Sequence, residues 1–110
     1  MRAGKLRHRV TIQELVETKN EDTGLSDESW RTFAQNIPAE IKPLSVREFI
    51  RAGAEVSKIS TYITTRHIPG VKRSMRIVHG SRTYNIEGVL PDADSGIEYM
   101  TMPVSEVLDD

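Results

Sequence analysis

The stretch Met75 to Gly88, MRIVHGSRTYNIEG, constrains the fold more than any other part of the chain. Gly80-Ser81 is a Gly-X pair, and Gly80 can adopt φ > 0 without a Cβ clash, so the segment predicts two strands joined by a two-residue type II′ turn. A loop that short leaves one register: His79 opposite Arg82, Ile77 opposite Tyr84 and Met75 opposite Ile86. Strand side chains alternate between faces, so these three pairs share one side and two of them are apolar. Arg76/Asn85 and Val78/Thr83 fall on the other side, which is mostly polar. One face is core and the other is wet. An isolated hairpin is marginal in water, so the remaining sequence must cover the apolar face.

The remaining sequence reads largely as further strands. In His8 to Glu17, Val10, Ile12 and Val16 alternate with Arg9, Thr11 and Gln13, the pattern of a strand with one wet side. Thr18 to Glu28 is polar, acidic and centred on Gly24, and reads as a long connecting loop of the kind that often carries contacts. Ser29 to Ile41 is a second strand with Trp30, Phe33, Ile37, Ala39 and Ile41 as core candidates. Its phase shifts between Trp30 and Phe33 and Pro38 removes a donor, which together predict a bulge or an edge position. Val56 to His67 is β-branched, with Ile59, Thr61, Ile63 and Thr65 on one face. Pro69-Gly70 is a turn, PDADSG after Leu90 is a tight loop, and Glu98 to Ser105 is the last strand, with Met100, Met102 and Val104 inward.

A single helix interrupts this series. Ser45-x-x-Glu48 is a capping box, Leu44 and Phe49 form the matching hydrophobic staple, and Gly53 ends the helix after about two turns. The expected fold class is therefore all-β: a small antiparallel barrel of about six strands, with one short α-helix between strands two and three. One domain accounts for residues 1–110, with 1–7 as a basic arm and 106–110 as an acidic tail.

Net charge is only −1, but the sign is segregated along the chain. Arg2, Lys5, Arg7 and Arg9 make the start basic, while Glu14 to Glu28 holds six acids against Lys19. Arg47 to Arg82 is basic again, and Thr83 to Asp110 carries acids and no base. Such blocks suit head-to-tail self-association, a surface of one sign, or an ordinary solvated surface on which the blocks mix in space. There is no cysteine, which removes disulfides and thiolate chemistry. No signal-peptide pattern and no apolar run of membrane-spanning length is present, so a soluble protein with no membrane partner is expected.

Little here points to catalysis. Asp92 and Asp94 alternate as in a calcium loop, but Gly96 falls one position early and Pro103 stands where the bidentate Glu belongs. His8, His67 and His79 lack ligand spacing, and no nucleophile motif appears. Glu87, Asp92, Asp94 and Glu98 read as an acidic loop rim rather than a glycosidase pair. No catalytic, cofactor-binding or metal-binding residue is assigned. Arg66, His67, Lys72, Arg73, Arg76 and Arg82 gather around the central hairpin and support an alternative reading as a small OB- or SH3-like nucleic-acid-binding module. Tyr62 and Tyr84 are the only aromatics near them, and Tyr84 faces the core, so backbone contact is favoured over base reading.

Several short motifs, in order, carry a resemblance across almost the whole chain. Met1, Gly4, Leu6, His8, Arg9 and Val10 fit a basic start of the form M-x-x-G-x-L-x-H-R-V, and Trp30 opens the second strand. Pro43 to Phe49, PLSVREF, precedes Glu55 and Ser57; Pro69-Gly70, Met75 to Ile77 and Tyr84 to Val89 (YNIEGV) follow. The chain resembles the head closure, or head–tail joining, family of tailed bacteriophages. It departs from that pattern at Ile37-Pro38, where a more hydrophobic strand is usual.

The resemblance implies a small β-barrel made in the bacterial host cytoplasm and assembled in the virion as a homo-oligomeric ring, beneath the portal and its adaptor. Such a ring closes the filled head, retains the DNA and offers a docking surface to the tail. The implied partners are the adaptor (head-completion) protein, the tail terminator protein and, without sequence preference, packaged DNA. The insertion Pro43 to Val56 would face the channel, with Ser45, Arg47, Glu48 and Arg51 as its candidate residues. Arg2, Lys5 and Arg7 of the basic arm, and Asp22 and Asp27 of the acidic loop, are the candidate partner contacts.

Overall fold

The computed structural model describes residues 6–44, 59–91 and 98–107. These form seven strands: β1 (His8–Lys19), β2 (Ser26–Pro43), β3 (Thr61–Arg66), β4 (Arg76–His79), β5 (Arg82–Ile86), β6 (Leu90–Pro91) and β7 (Tyr99–Glu106). All pairings are antiparallel, in the order β3-β2-β1-β4-β5-β7-β6, and β3 also pairs with β7. The pairing thus returns on itself through β3, β2, β1, β4, β5 and β7, which leaves those strands few open edges. The expectation of an all-β antiparallel fold holds. No helix occurs among the described residues, and the helix expected over Ser45 to Gly53 lies outside them.

The central hairpin forms as its turn chemistry requires. Gly80 has φ +61°, and the register pairs Ile77 with Tyr84, His79 with Arg82 and Arg76 with Asn85. Ile86 N donates to Met75 O at 3.4 Å, which extends that register to the third expected pair. Ile77, Tyr84, Met75 and Ile86 are all buried. They join Val10, Ile12, Ile37, Ala39, Ile63, Met100, Met102 and Val104 in one core, against which Phe33, Ala34, Ile41, Ile68 and Val71 pack. The inward sets expected for β1, β3 and β7 are thus correct for Val10 and Ile12, for Thr61, Ile63 and Thr65, and for Met100, Met102 and Val104.

β2 is bent by two register irregularities. Val10 pairs with Ile37 but Ile12 with Ala34, so Gln35 and Asn36 together face Thr11; Asn36 takes φ +55°, a conformation Asn tolerates better than most residues. Gln13 then pairs with Thr32, which leaves Phe33 as a second extra residue. Bulges increase local twist and curvature, which a sheet needs to close on itself. Pro38 sits opposite Arg9, just before the β2–β3 ladder begins at Ala39 and Thr65, so its missing donor interrupts no β2–β3 bond.

The second bulge corrects one core expectation. Uninterrupted alternation would put Trp30 and Ala34 on one face; the bulge at Phe33 breaks it, so Ala34 points inward and Trp30 lies on the outer side, opposite Leu15. Trp30 is partly buried and belongs to no core cluster.

Three boundaries also differ from expectation. The acidic stretch Thr18 to Glu28 is mostly strand, because β1 runs to Lys19 and β2 starts at Ser26. Leu90-Pro91, expected at the head of a loop, pairs with Thr101 and Met100 on the edge of β7 that β5 has left. At the C-terminal end, β7 runs one residue past the expected Ser105 to include Glu106, and Val107 N donates to Thr83 O at 2.8 Å.

Candidate assembly surface

Past Gln13 and Thr32, β1 and β2 leave the body as a two-stranded ribbon with no third strand beside them among the described residues. Six paired positions at a rise of ~3.4 Å make it about 20 Å long, and the molecule is correspondingly elongated, 52 × 31 × 25 Å. Its tip is a tight, bonded turn. Asn20 N donates to Leu25 O (2.7 Å), Gly24 N to Asn20 O (2.8 Å) and Asp22 N to Asn20 Oδ1 (2.9 Å), with Gly24 at φ +72°.

The root is fastened from the body. Arg76 of β4 donates through Nε to Gln13 Oε1 at 2.6 Å, and its guanidinium lies over the Trp30 ring, 4.1 Å from the centroid. On the opposite side of the ribbon, Arg31 pairs with Glu14 across the strands. Beyond these contacts the ribbon is exposed, including Leu15 at 43% and Leu25 at 67%.

Of the candidate contact residues, Asp22 stands exposed in the ribbon turn and Asp27 stands exposed in β2 opposite Thr18, so the structure brings these two to one end of the molecule. Arg7 is exposed just ahead of β1. Arg2, Lys5, Ser45, Arg47, Glu48 and Arg51 lie outside the described residues.

The basic residues around the hairpin do not merge into one groove. Arg76 is taken up by Trp30 and Gln13, and Arg66 lies over the Tyr99 ring at 5.7 Å. Arg82 starts β5 beyond the far end of β4. There a hydrogen bond with Tyr84, reinforced by the Glu106 carboxylate, holds the Arg82 guanidinium above its ordinary value. Tyr84 is buried, as the hairpin register requires, and offers no stacking platform. Lys72 and Arg73 remain exposed in the β3–β4 connection.

His8 and His79 meet edge to face at 5.2 Å, and among the described residues no group of three or more His, Asp or Glu side chains could hold a metal ion. Glu87 accepts from Ser105 Oγ at 2.7 Å, while Asp92 and Asp94 lie outside the described residues. No helix among the described residues is long and apolar enough to cross a membrane.

One feature carried no sequence signal. A shallow groove of about 400 Å³ crosses the outer side of β2, β3, β7 and β6, lined by Glu40, Lys42, Tyr62, Thr64, Leu90 and Thr101. The Thr64 and Thr101 hydroxyls lie 3.0 Å apart in it. Only the closure of β3 onto β7 brings these residues together, and that contact joins segments far apart in the chain.

A closed antiparallel β-body with a projecting ribbon defines a small all-β protein. The chain matches the phage head completion protein family over residues 1–107, and it belongs to that family. It is similar over its full length to protein SF1141 from Shigella flexneri 2a, whose solution structure has 29% identity and a TM-score of 0.82, with 100% of both chains covered. It also shares its fold with a chain of the virion of a native gene transfer agent particle, at 22% identity and a TM-score of 0.62, covering 94% of this chain and 96% of that one. No curated protein matches.

Proposed function

We propose that this protein is a structural subunit of the phage head–tail connector: a ring that closes the DNA-filled head below the portal and adaptor and provides the docking surface for the tail. The observation that carries this reading is membership of the phage head completion family across residues 1–107. The shared fold with a chain of a gene transfer agent virion supports a place in the particle itself. A ring subunit needs two different faces that complement each other, and the sign-segregated chain offers them. The reading assigns no catalysis and no cofactor.

Within this reading, Ser45, Arg47, Glu48 and Arg51 face the channel, and DNA is held there by sequence-independent, salt-screened attraction. Arg2, Lys5 and Arg7 on one side, and Asp22 and Asp27 at the ribbon, meet the neighbouring adaptor and tail terminator proteins.

Electron microscopy of lysates from a phage or induced prophage lacking the gene tests the reading. Emptied heads beside separate, complete tails are expected. Normal joined virions would overturn it and favour a free nucleic-acid-binding module.

A further inference from the structure

We propose that the outer face of the β1–β2 ribbon is a subunit–subunit contact, in which Glu17 and Glu28 of one copy receive the Lys72-Arg73 loop of a second copy. The inference rests on the assembly reading above and gives it a specific surface.

The starting point is a local conflict. Glu17 and Glu28 are directly opposite in the β1–β2 register, on the same face as Leu15 and Trp30. Like charges opposite one another destabilise a ladder, and a two-stranded ribbon has little stability to spare. Neither carboxylate has a hydrogen-bond or ion-pair partner among the described residues. Lys19 follows on the same face but pairs with neither of them. Arg31 is on the other face and bound to Glu14, and Arg76 is held at the root by Gln13 and Trp30. Among the described residues, no cation of the ribbon therefore neutralises this pair.

The body offers a matching loop. Lys72 and Arg73 are consecutive, exposed and without a partner among the described residues, whereas Arg66 and Arg82 are engaged with Tyr99 and with Tyr84 and Glu106. Within one chain no ion pair joins Lys72 or Arg73 to Glu17 or Glu28. Two adjacent cations thus complement two carboxylates that face each other across the ribbon, and the half-exposed Leu15 with Trp30 beside the acids supplies an apolar centre. Ribbon and loop are different parts of the surface, so the contact is heterologous, and its repetition gives a ring if the rotation closes.

The chain contains no cysteine, so Glu28→Cys with Lys72→Cys introduces the only reactive pair. Particles carrying this variant are treated with a short thiol-bridging reagent and run on a denaturing gel. A ladder of multimers is expected. A monomer band alone, whether unlinked or linked within one chain, in particles that contain the protein would overturn the contact while leaving the assembly reading intact. Absence of the wild-type chain from particles would overturn the assembly reading instead. The same cross-link on the concentrated purified chain then decides the contact: a ladder supports it and its absence overturns it. As a second measurement, Glu17→Lys with Glu28→Lys should lower the copies incorporated per particle about tenfold, because juxtaposed like charges oppose association. Adding Lys72→Glu and Arg73→Glu to that chain should restore them. Unchanged incorporation of the first variant would overturn the proposal, and circular dichroism of each variant separates misfolding from lost contact.

Discussion

Arg76 lies over the indole of Trp30 at 4.1 Å while its Nε donates to Gln13 at 2.6 Å, so one side chain ties β4 to both strands of the ribbon where they leave the body. A cation–π contact of ~0.5–1 kcal/mol and a hydrogen bond of ~1 kcal/mol together make this fastening worth about 1–2 kcal/mol. Arg76→Ala should loosen the ribbon without unfolding the core. Amide exchange at Leu15 and Val16 is expected to speed up while Ile12 and Ile77 stay protected. Because Trp30 is the only tryptophan, its emission should shift to the red. Equal loss of protection in the core would show that Arg76 supports the whole fold instead.

Gly70 and Gly80 both hold positive φ, at +88° and +61°, but their surroundings differ. A Cβ on Gly80 would meet nothing within 4 Å, so Gly80→Ala carries only the left-handed backbone penalty, ~1–2 kcal/mol. A Cβ on Gly70 would come within 3.2 Å of the ring of Phe33, the extra residue of the second β2 bulge, which packs on the core. Gly70→Ala should therefore cost more than Gly80→Ala in urea unfolding. Equal midpoints would mean that Phe33 moves aside freely.

Position along β1 sets what an apolar side chain contributes. Ile12 is 0% exposed inside the closed body, and Leu15, three residues on, is 43% exposed on the ribbon. Ile12→Ala should cost about 3 kcal/mol through lost burial and the cavity left behind, whereas Leu15→Ala should stay within ~0.5 kcal/mol. Paired unfolding curves check this. A large loss at Leu15 in the isolated chain would mean that the ribbon is covered there by self-association.

The same contrast explains what was legible in the sequence. The register of β4 and β5 followed from Gly80-Ser81 because a two-residue loop permits no other, and the inward sets of β3 and β7 followed from period-two alternation against one core. The outer part of the ribbon, Thr18 to Glu28, reads as a loop in the sequence because neither of its sides meets the core and no apolar alternation marks it. Trp30 was misplaced because the extra residue Phe33 flips the phase, and the sequence shows the break in pattern without showing which side of it faces in. The pairing of β3 with β7 joins distant segments and has no local signal, so neither the closure nor the groove at Thr64 and Thr101 was visible. Among the candidate contacts, the charge of Asp22 and Asp27 is legible in the sequence, and the structure places both at one end of the molecule, on a ribbon rather than a loop.

The channel reading makes the most consequential prediction. Arg47 and Arg51 are four apart in the segment that opens with the capping box at Ser45 and Glu48, a spacing that would put both cations on one side of a helix. If they hold packaged DNA, the attraction is to phosphate, independent of sequence and weakened by salt. Particles carrying Arg47→Glu with Arg51→Glu should assemble and join tails but lose DNA more readily, and the difference from wild type should be largest at moderate salt and shrink as salt rises. Nuclease-accessible DNA released from purified particles across a salt series measures this. Retention equal to wild type at every salt concentration would remove both arginines from the channel. A defect in tail joining without DNA loss would place the segment at the tail interface instead.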